Sequence, residues 1–256
     1  MTERCITIAG NHSVPAGNLD FGPWADIIRE HPKDMLPVSP DQLQKSYGAD
    51  MATVLLDDGK IVGGTRFVPL LDSAKKQELN LSSLQLPDIW ELGSIAVAKE
   101  AMGNGFSRDV NKHLLSSVKE RIRNGELLVI GTTKTAVVIR MLWGLDLKDI
   151  GNFSVASQRD LPMIAPLTCV CKPPLGTGFQ MSQNCRYRIS PKEAEEVAQK
   201  KRGFGLNPGI PCALFISDID LARRTDGVLK ERFSKVDPSN PQGALVAALK
   251  EKGYYK

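Results

Sequence analysis

Two stretches of this 256-residue sequence have the residue types and spacing to do chemistry. The first is Met102-Gly103-Asn104-Gly105-Phe106-Ser107, a Gly-x-Gly turn between an apolar run and a helical pattern. Amides at the start of a helix have no internal partners, and the helix dipole adds positive charge there. Gly103 and Gly105 lack the Cβ atoms that would hold a phosphate away from those amides. The turn is therefore an anion cradle in outline, and the same residues also serve as a tight turn with no ligand. The second stretch is Ile89-Trp90-Glu91-Leu92-Gly93-Ser94-Ile95-Ala96-Val97, an apolar run with one acid. A carboxylate in such a strand must be paired, partly solvated or functional.

Other reactive residues form no site by spacing. The cysteines at 5, 169, 171, 185 and 212 lack the two close pairs of a structural zinc site, so no metal is expected. They read as small apolar residues and scattered thiols. His12, His31 and His113 show no ligand spacing, and His113 falls on the polar flank of the helix after the turn. No Ser-His-Asp or Cys-His partners are placed together. Trp24 and Trp143 read as packing residues.

The elements that must position the turn and the acid follow from periodicity. Thr53-Val54-Leu55-Leu56 and Ile61–Val68 flank Asp58-Gly59, which predicts a hairpin because Gly accepts the positive φ of a tight turn. The 89–97 run reads as a largely buried strand. After the turn, Phe106, Val110, Leu114, Val118 and Ile122 recur every four residues, one buried stripe of a helix that Asn124-Gly125 stops. Leu127–Ile130 suits a central strand, and Thr133 to Leu142 reads as a further helix. Residues 1–50 read as irregular apart from an amphipathic turn at Trp24–Ile28, and 72–87 as a polar excursion. Beyond about 175, Ser190-Pro191-Lys192-Glu193 is a capping box, Pro211–Ser217 a strand, and 218–233 and 241–252 helices. The alternation points to an α/β layered domain with at least one parallel strand pair.

Composition bounds the partners. Hydrophobic residues make up 42% and charged residues 24%, enough to bury a core. A net charge of +4 without Lys/Arg runs argues against nucleic acid and suits an anionic ligand. No stretch approaches the ~20 apolar residues of a membrane span, and the first residues are not a signal peptide. The odd set of five cysteines fits reduced thiols in a cytoplasmic protein.

The order of elements around the turn resembles the GNAT superfamily of CoA-dependent N-acyltransferases. That family's turn reads Arg/Gln-x-x-Gly-x-Gly/Ala; here Gly105 matches the central glycine, Ser107 stands for the closing small residue and Met102 for Arg/Gln. The family's later helix, Asn-x-x-Ala with a Tyr four residues on and then Gly-Phe, corresponds to Thr133, Ala136, Arg140 and Gly144-Leu145. The resemblance covers roughly residues 50–170. It implies a mixed, mostly antiparallel sheet flanked by helices, with a GNAT-like core at 1–175 and a C-terminal αβ extension at 176–256. It implies that acetyl-CoA or another acyl-CoA binds along Ile95, Ala96 and Val97, the Met102–Ser107 turn and Thr133. Met102 follows Glu91 by eleven residues, the family's distance from base to turn, so Glu91 is implied to take the proton of an amine acceptor, small molecule or peptide. Arg140 stands where a Tyr acid would be and could stabilise a thiolate. The acceptor side falls to variable segments, with Trp24 of residues 1–50 among its candidates. The extension either covers that side or mediates a homodimer.

A second resemblance is to the acyl-homoserine-lactone synthases, which share the fold. Gly63-Gly64-Thr65-Arg66-Phe67-Val68-Pro69 and Trp90-Glu91-Leu92 carry it, and it implies that Arg66 contacts S-adenosylmethionine. That branch has an Arg three residues after the Glu, where this chain has Ser94. A third expectation is a GNAT-shaped module that holds CoA without turnover.

Overall fold

A computed structural model describes residues 6–30, 37–133, 153–157, 160–168 and 213–254. The strands are β1 (Ile6–Ala9), β2 (Ala52–Asp57), β3 (Lys60–Leu71), β4 (Asp88–Val97), β5 (Leu127–Thr133), β6 (Ser154–Ser157) and β7 (Ala213–Ile216). The helices used below are α1 (Gly22–Arg29), α2 (Pro40–Gly48), α3 (Ser73–Glu78), α4 (Phe106–Ser117) and α5 (Lys119–Arg123). Four strand pairs, β1/β2, β2/β3, β5/β7 and β6/β7, run antiparallel, and β4/β5 runs parallel. This is the mixed, mostly antiparallel α/β arrangement expected. The chain divides into two compact units.

The first unit comprises Met1–Val68, Leu92–Glu120 and Met141–Asp149. Asp58 (φ 49°) and Gly59 (φ 73°) both take positive φ, so β2 and β3 form the expected hairpin with a primed turn. Strand β3 neighbours β4, and just past the end of β4 Ala98 N donates to Val62 O at 2.8 Å. Strand β2 is apolar on both faces because both are covered. Val54 and Leu56 join Trp24, Ala25 and Ile28 of α1 and Leu43 and Tyr47 of α2, while Leu55 packs with Val110 of α4 and with Val97. Residues 1–50 are thus more regular than expected. Ser39 and Gln42 exchange side-chain and backbone hydrogen bonds in a capping box, with Pro40 in the first turn, and start α2.

The second unit comprises Pro69–Glu91, Arg121–Arg140 and Ile150–Lys256. Here the first residues of β4 pair in parallel with β5, with Glu91 opposite Ile130. Leu71, Ile89, Leu128, Ile130, Leu214 and Ile216 meet Leu229, Phe233 and Leu249 in one core. The last three come from the helices Ile219–Ser234 and Pro241–Glu251, which stand where expected. Asp226 is buried, and its Oδ1 accepts from the backbone N–H of Met163 and Ile164 at 2.8 and 3.0 Å. Asp88 takes Lys76 Nζ at 2.8 Å and Arg121 Nη2 at 2.7 Å, and the Arg121 guanidinium lies 4.6 Å from the Trp90 ring centre. The polar excursion after Leu71 contains α3, capped by the Asp72 side chain on Lys75 N.

Three expectations fall differently. Helix α4 ends at Ser117 and α5 starts at Lys119, because Val118 leaves the helical region (φ −116°) although the apolar repeat runs through it. The 89–97 run is less buried than expected, with Trp90, Glu91, Gly93, Ser94 and Ile95 half-buried. Thr133 is the last residue of β5, paired with Ala213, rather than the first of a helix. Its run of β-branched neighbours favours the extended backbone. The helix expected to follow it, Arg140, Trp143, the capping box at Ser190 and all five cysteines lie outside the described residues.

Candidate functional site

Gly103 (φ 87°) and Gly105 (φ 79°) both occupy the left-handed region that other residues avoid. A Cβ at Gly103 would meet nothing within 4 Å, so that glycine is required by the path of the backbone and not by crowding. Gly105 is the N-cap of α4, and no side chain caps it. Its carbonyl accepts from Arg108 N at 2.9 Å and Asp109 N at 3.2 Å, so the helical ladder begins there. Helix geometry leaves the amides of Phe106 and Ser107 without intrahelical acceptors. Met102, Gly103, Asn104 and Gly105 are exposed, with Phe106 and Ser107 half-buried. Solvent, or an anion, therefore reaches the turn.

Sequence reasoning missed the charge beside this turn. Arg108 Nη2 lies 3.6 Å from the position a Cβ on Gly105 would take, while Arg108 Nε donates to Asp109 Oδ1 at 3.1 Å. A guanidinium thus stands at the turn whose first residue, Met102, carries no charge and is 49% exposed. The signal was present as Arg108 three residues after Gly105, one helical turn along.

A buried polar bridge fixes the start of α4. Asn111 is fully buried, and its Nδ2 donates to Ser107 O at 2.5 Å. Thr65 Oγ1 lies 2.9 Å from Asn111 Oδ1 and 3.5 Å from Gly93 O. One hydroxyl proton serves one strong acceptor, and the shorter distance assigns it to Asn111. The turn is thereby tied to β3 by groups whose loss would leave partners unsatisfied in the core.

On β4, Ala96 and Val97 are buried and Ile95 is half-buried. Gly63 on β3 comes so close that a Cβ there would sit 2.6 Å from Ala96 O. Ser94, inside the strand, has φ 53°. Its Oγ accepts from Arg66 Nε at 3.0 Å, and Arg66 Nη1 donates to Ser46 Oγ at 3.3 Å. The position where the synthase pattern has an arginine is therefore a serine held by one.

The structure places Arg66, Ile95, Ala96, Val97 and the Met102–Ser107 turn in the first unit, and Glu91 and Thr133 in the second. Trp24 corrects an expectation. It is wholly buried in the first unit's core, and a Cβ on Gly64 would lie 2.8 Å from two of its ring carbons. A side chain so enclosed packs and does not meet an acceptor. His12 is exposed and 3.2 Å from Asp50, and His113 is exposed as expected. Among the described residues no group of three His, Cys, Asp or Glu is placed to hold a metal ion. Nor is any helix among them long and apolar enough to cross a membrane.

No protein-family model and no curated protein matches this sequence. Solved structures do. N-acetylglutamate synthase from Neisseria gonorrhoeae, complexed with coenzyme A and N-acetyl-glutamate, matches at 13% identity and TM-score 0.39 over 84% of this chain. The match spans 35% of the synthase's length. Diaminobutyrate acetyltransferase from Paenibacillus lautus, in complex with diaminobutyric acid and coenzyme A, matches at 14% identity and TM-score 0.41, covering 84% of this chain and 95% of that one. A putative acetyltransferase from Salmonella typhimurium with acetyl-CoA matches at 16% identity and TM-score 0.38, covering 61% and 82%. The chain is similar, then, to proteins solved with coenzyme A or acetyl-CoA.

Proposed function

We propose that this chain is an acyltransferase of the GNAT type, moving an acetyl or other acyl group from CoA to an amine by direct transfer. The observation that carries the reading is the exposed turn at Met102–Gly105, with positive φ at both glycines, opening α4, the first α-helix after β4. Free amides, a helix dipole and the Arg108 guanidinium together suit a pyrophosphate. On this reading the amides of Phe106 and Ser107 hold the phosphates and the backbone of Ile95 to Val97 holds the pantetheine arm. Glu91 then accepts the proton of the attacking amine, the thioester C–S bond breaks as the new amide C–N bond forms, and CoA leaves as a thiolate. Arg140 is assigned to stabilising that thiolate, and Thr133 to the cofactor side. The acceptor is taken to be a small molecule or peptide amine in a reducing cytoplasmic setting, with a homodimer or a covered acceptor site built by residues beyond 175.

The synthase reading gains no support from Arg66, two of whose nitrogens are engaged by Ser94 and Ser46. Calorimetric titration with acetyl-CoA beside dephosphorylated analogues tests the proposal. Micromolar binding that disappears with the phosphates is expected, and no binding to any CoA species would overturn it. Glu91→Gln is expected to keep that binding and to lower turnover about 100-fold. Equal turnover would remove Glu91 from the mechanism.

A further inference from the structure

The left-handed residues Asp50, Asp58, Asn80 and Ser94 are the non-glycine residues with positive φ among those described. Asp50, Asp58 and Asn80 end helices or form the hairpin turn, where short polar side chains take αL routinely. Ser94 is different: it lies inside β4, two residues from the strand's entry into the first unit at Leu92 and three from its end at Val97. A left-handed φ departs from the extended backbone of a strand and turns the chain locally, as at the αL position of a G1 bulge, whose usual occupant is glycine. A serine there is strained and persists only when its surroundings over-determine it.

We infer that Arg66 and Ser94 form a clamp that holds this bend, making both positioning residues for the Ile95–Val97 backbone. Arg66 Nε donates to Ser94 Oγ at 3.0 Å, and Nη1 donates to Ser46 Oγ at 3.3 Å. Ser46 Oγ in turn donates to Gln42 O at 3.0 Å on α2. The bend in β4 is therefore anchored through β3 to a helix whose own start is fixed by the Ser39–Gln42 capping box. Arg66 is itself registered opposite Ala52 in the β2/β3 ladder, so its backbone gives the clamp a rigid base. The guanidinium's planar fork sets two directions at once, which a lysine could not do. The role in acyl transfer rests on the function proposed above; the clamp itself does not.

Glycine at 94 would adopt the same φ without help, and this gives the test. Ser94→Ala removes the hydroxyl and keeps the strain, Ser94→Gly removes both, and Arg66→Ala removes the donor. Hydrogen exchange of the amides at 93–97 judges the clamp without any assay of turnover. Arg66→Ala and Ser94→Ala are each expected to speed that exchange about tenfold, the size of a lost hydrogen bond to a charged group. Ser94→Gly and the double variant Arg66→Ala/Ser94→Gly are expected to remain within about twofold of the wild type. In calorimetry, free CoA should bind Ser94→Gly and the double variant as it binds the wild type, and bind the two impaired variants more weakly through its pantetheine arm, while kcat falls about tenfold in those two and recovers in the double variant. A double variant as impaired as Arg66→Ala, or a Ser94→Ala protein indistinguishable from the wild type, would overturn the clamp. A wild type that binds no CoA defeats the function proposed above, and the exchange measurement still decides on the clamp.

Discussion

The first unit holds two glycine pairs that do opposite things. Gly63 and Gly64 are glycines because there is no room: a Cβ would lie 2.6 Å from Ala96 O at one and 2.8 Å from Trp24 at the other. Gly103 and Gly105 are glycines although there is room, with nothing inside 4 Å of a Cβ at Gly103 and only Arg108 near Gly105. The first pair answers to packing, where side chains and backbone close on it. The second answers to direction, because the chain must take positive φ twice to present its amides outward. Open space around a conformationally demanding turn is what a ligand surface requires, and crowded glycines are what a core requires.

Substitutions can break this contrast. Gly105→Glu should have the largest effect on binding, reducing CoA affinity at least about 100-fold through charge repulsion at the turn. Titration checks it, and unchanged affinity would make the two pairs alike in having no ligand. Gly64→Ala should have the largest effect on folding, about 3 kcal/mol from overpacking against Trp24 and Thr53 O. A urea midpoint near that of the wild type would show that Trp24 can move. Gly103→Ala should cost about 1–2 kcal/mol from its φ alone, whatever the surrounding space. If it cost as much as Gly64→Ala, the distinction between direction and packing would collapse.

The smallest effect is a pH dependence common to the wild type and the glycine variants. Burial raises the Asp226 carboxyl above its ordinary value, against the lowering by the Ile164 and Met163 amides and Lys230. The folded chain then keeps this proton to higher pH than the unfolded chain does. The contribution of Asp226 is therefore most favourable below the unfolded value and declines as pH rises toward the folded one. Asp226→Asn keeps an oxygen acceptor for both amides and should flatten that part of the urea-midpoint profile.

How much of this was legible in the sequence depends on range. Asp58-Gly59 between two β-rich runs predicted its hairpin because the turn's requirement is local. The four-residue stripe from Phe106 to Ile122 found α4 and α5 but not the break at Val118, since the apolar repeat does not change there. Helix α2 is announced by Ser39-Pro40-Asp41-Gln42, the same signature as at Ser190, but the Pro-rich stretch around it masks the pattern. Helix α3 is short and polar and carries no apolar stripe to betray it. The turn at Gly103–Gly105 was legible from the two glycines together with the apolar run before them and the helical pattern after. The features that fix it were not, because Asn111 meets Thr65 from 46 residues away and Arg66 meets Ser94 from 28. Trp24 was legible as a packing residue, but what it packs against, a glycine on β3, is joined to it by no local pattern.

The placement of the tryptophans also gives the molecule two optical reporters. Trp24 is sealed in the apolar core of the first unit, so its indole should emit toward the blue end of the tryptophan range and shift red only when that core opens. Trp90 belongs to the second unit with the Arg121 cation 4.6 Å from its ring centre, where emission is sensitive to that charge. With Trp143, the third of the chain's three tryptophans, replaced by Phe, exchanging either remaining indole for Phe would leave a single fluorophore assigned to one unit. Two denaturation curves that superimpose would mark the halves as one cooperative body, and two that separate would give each its own melting point.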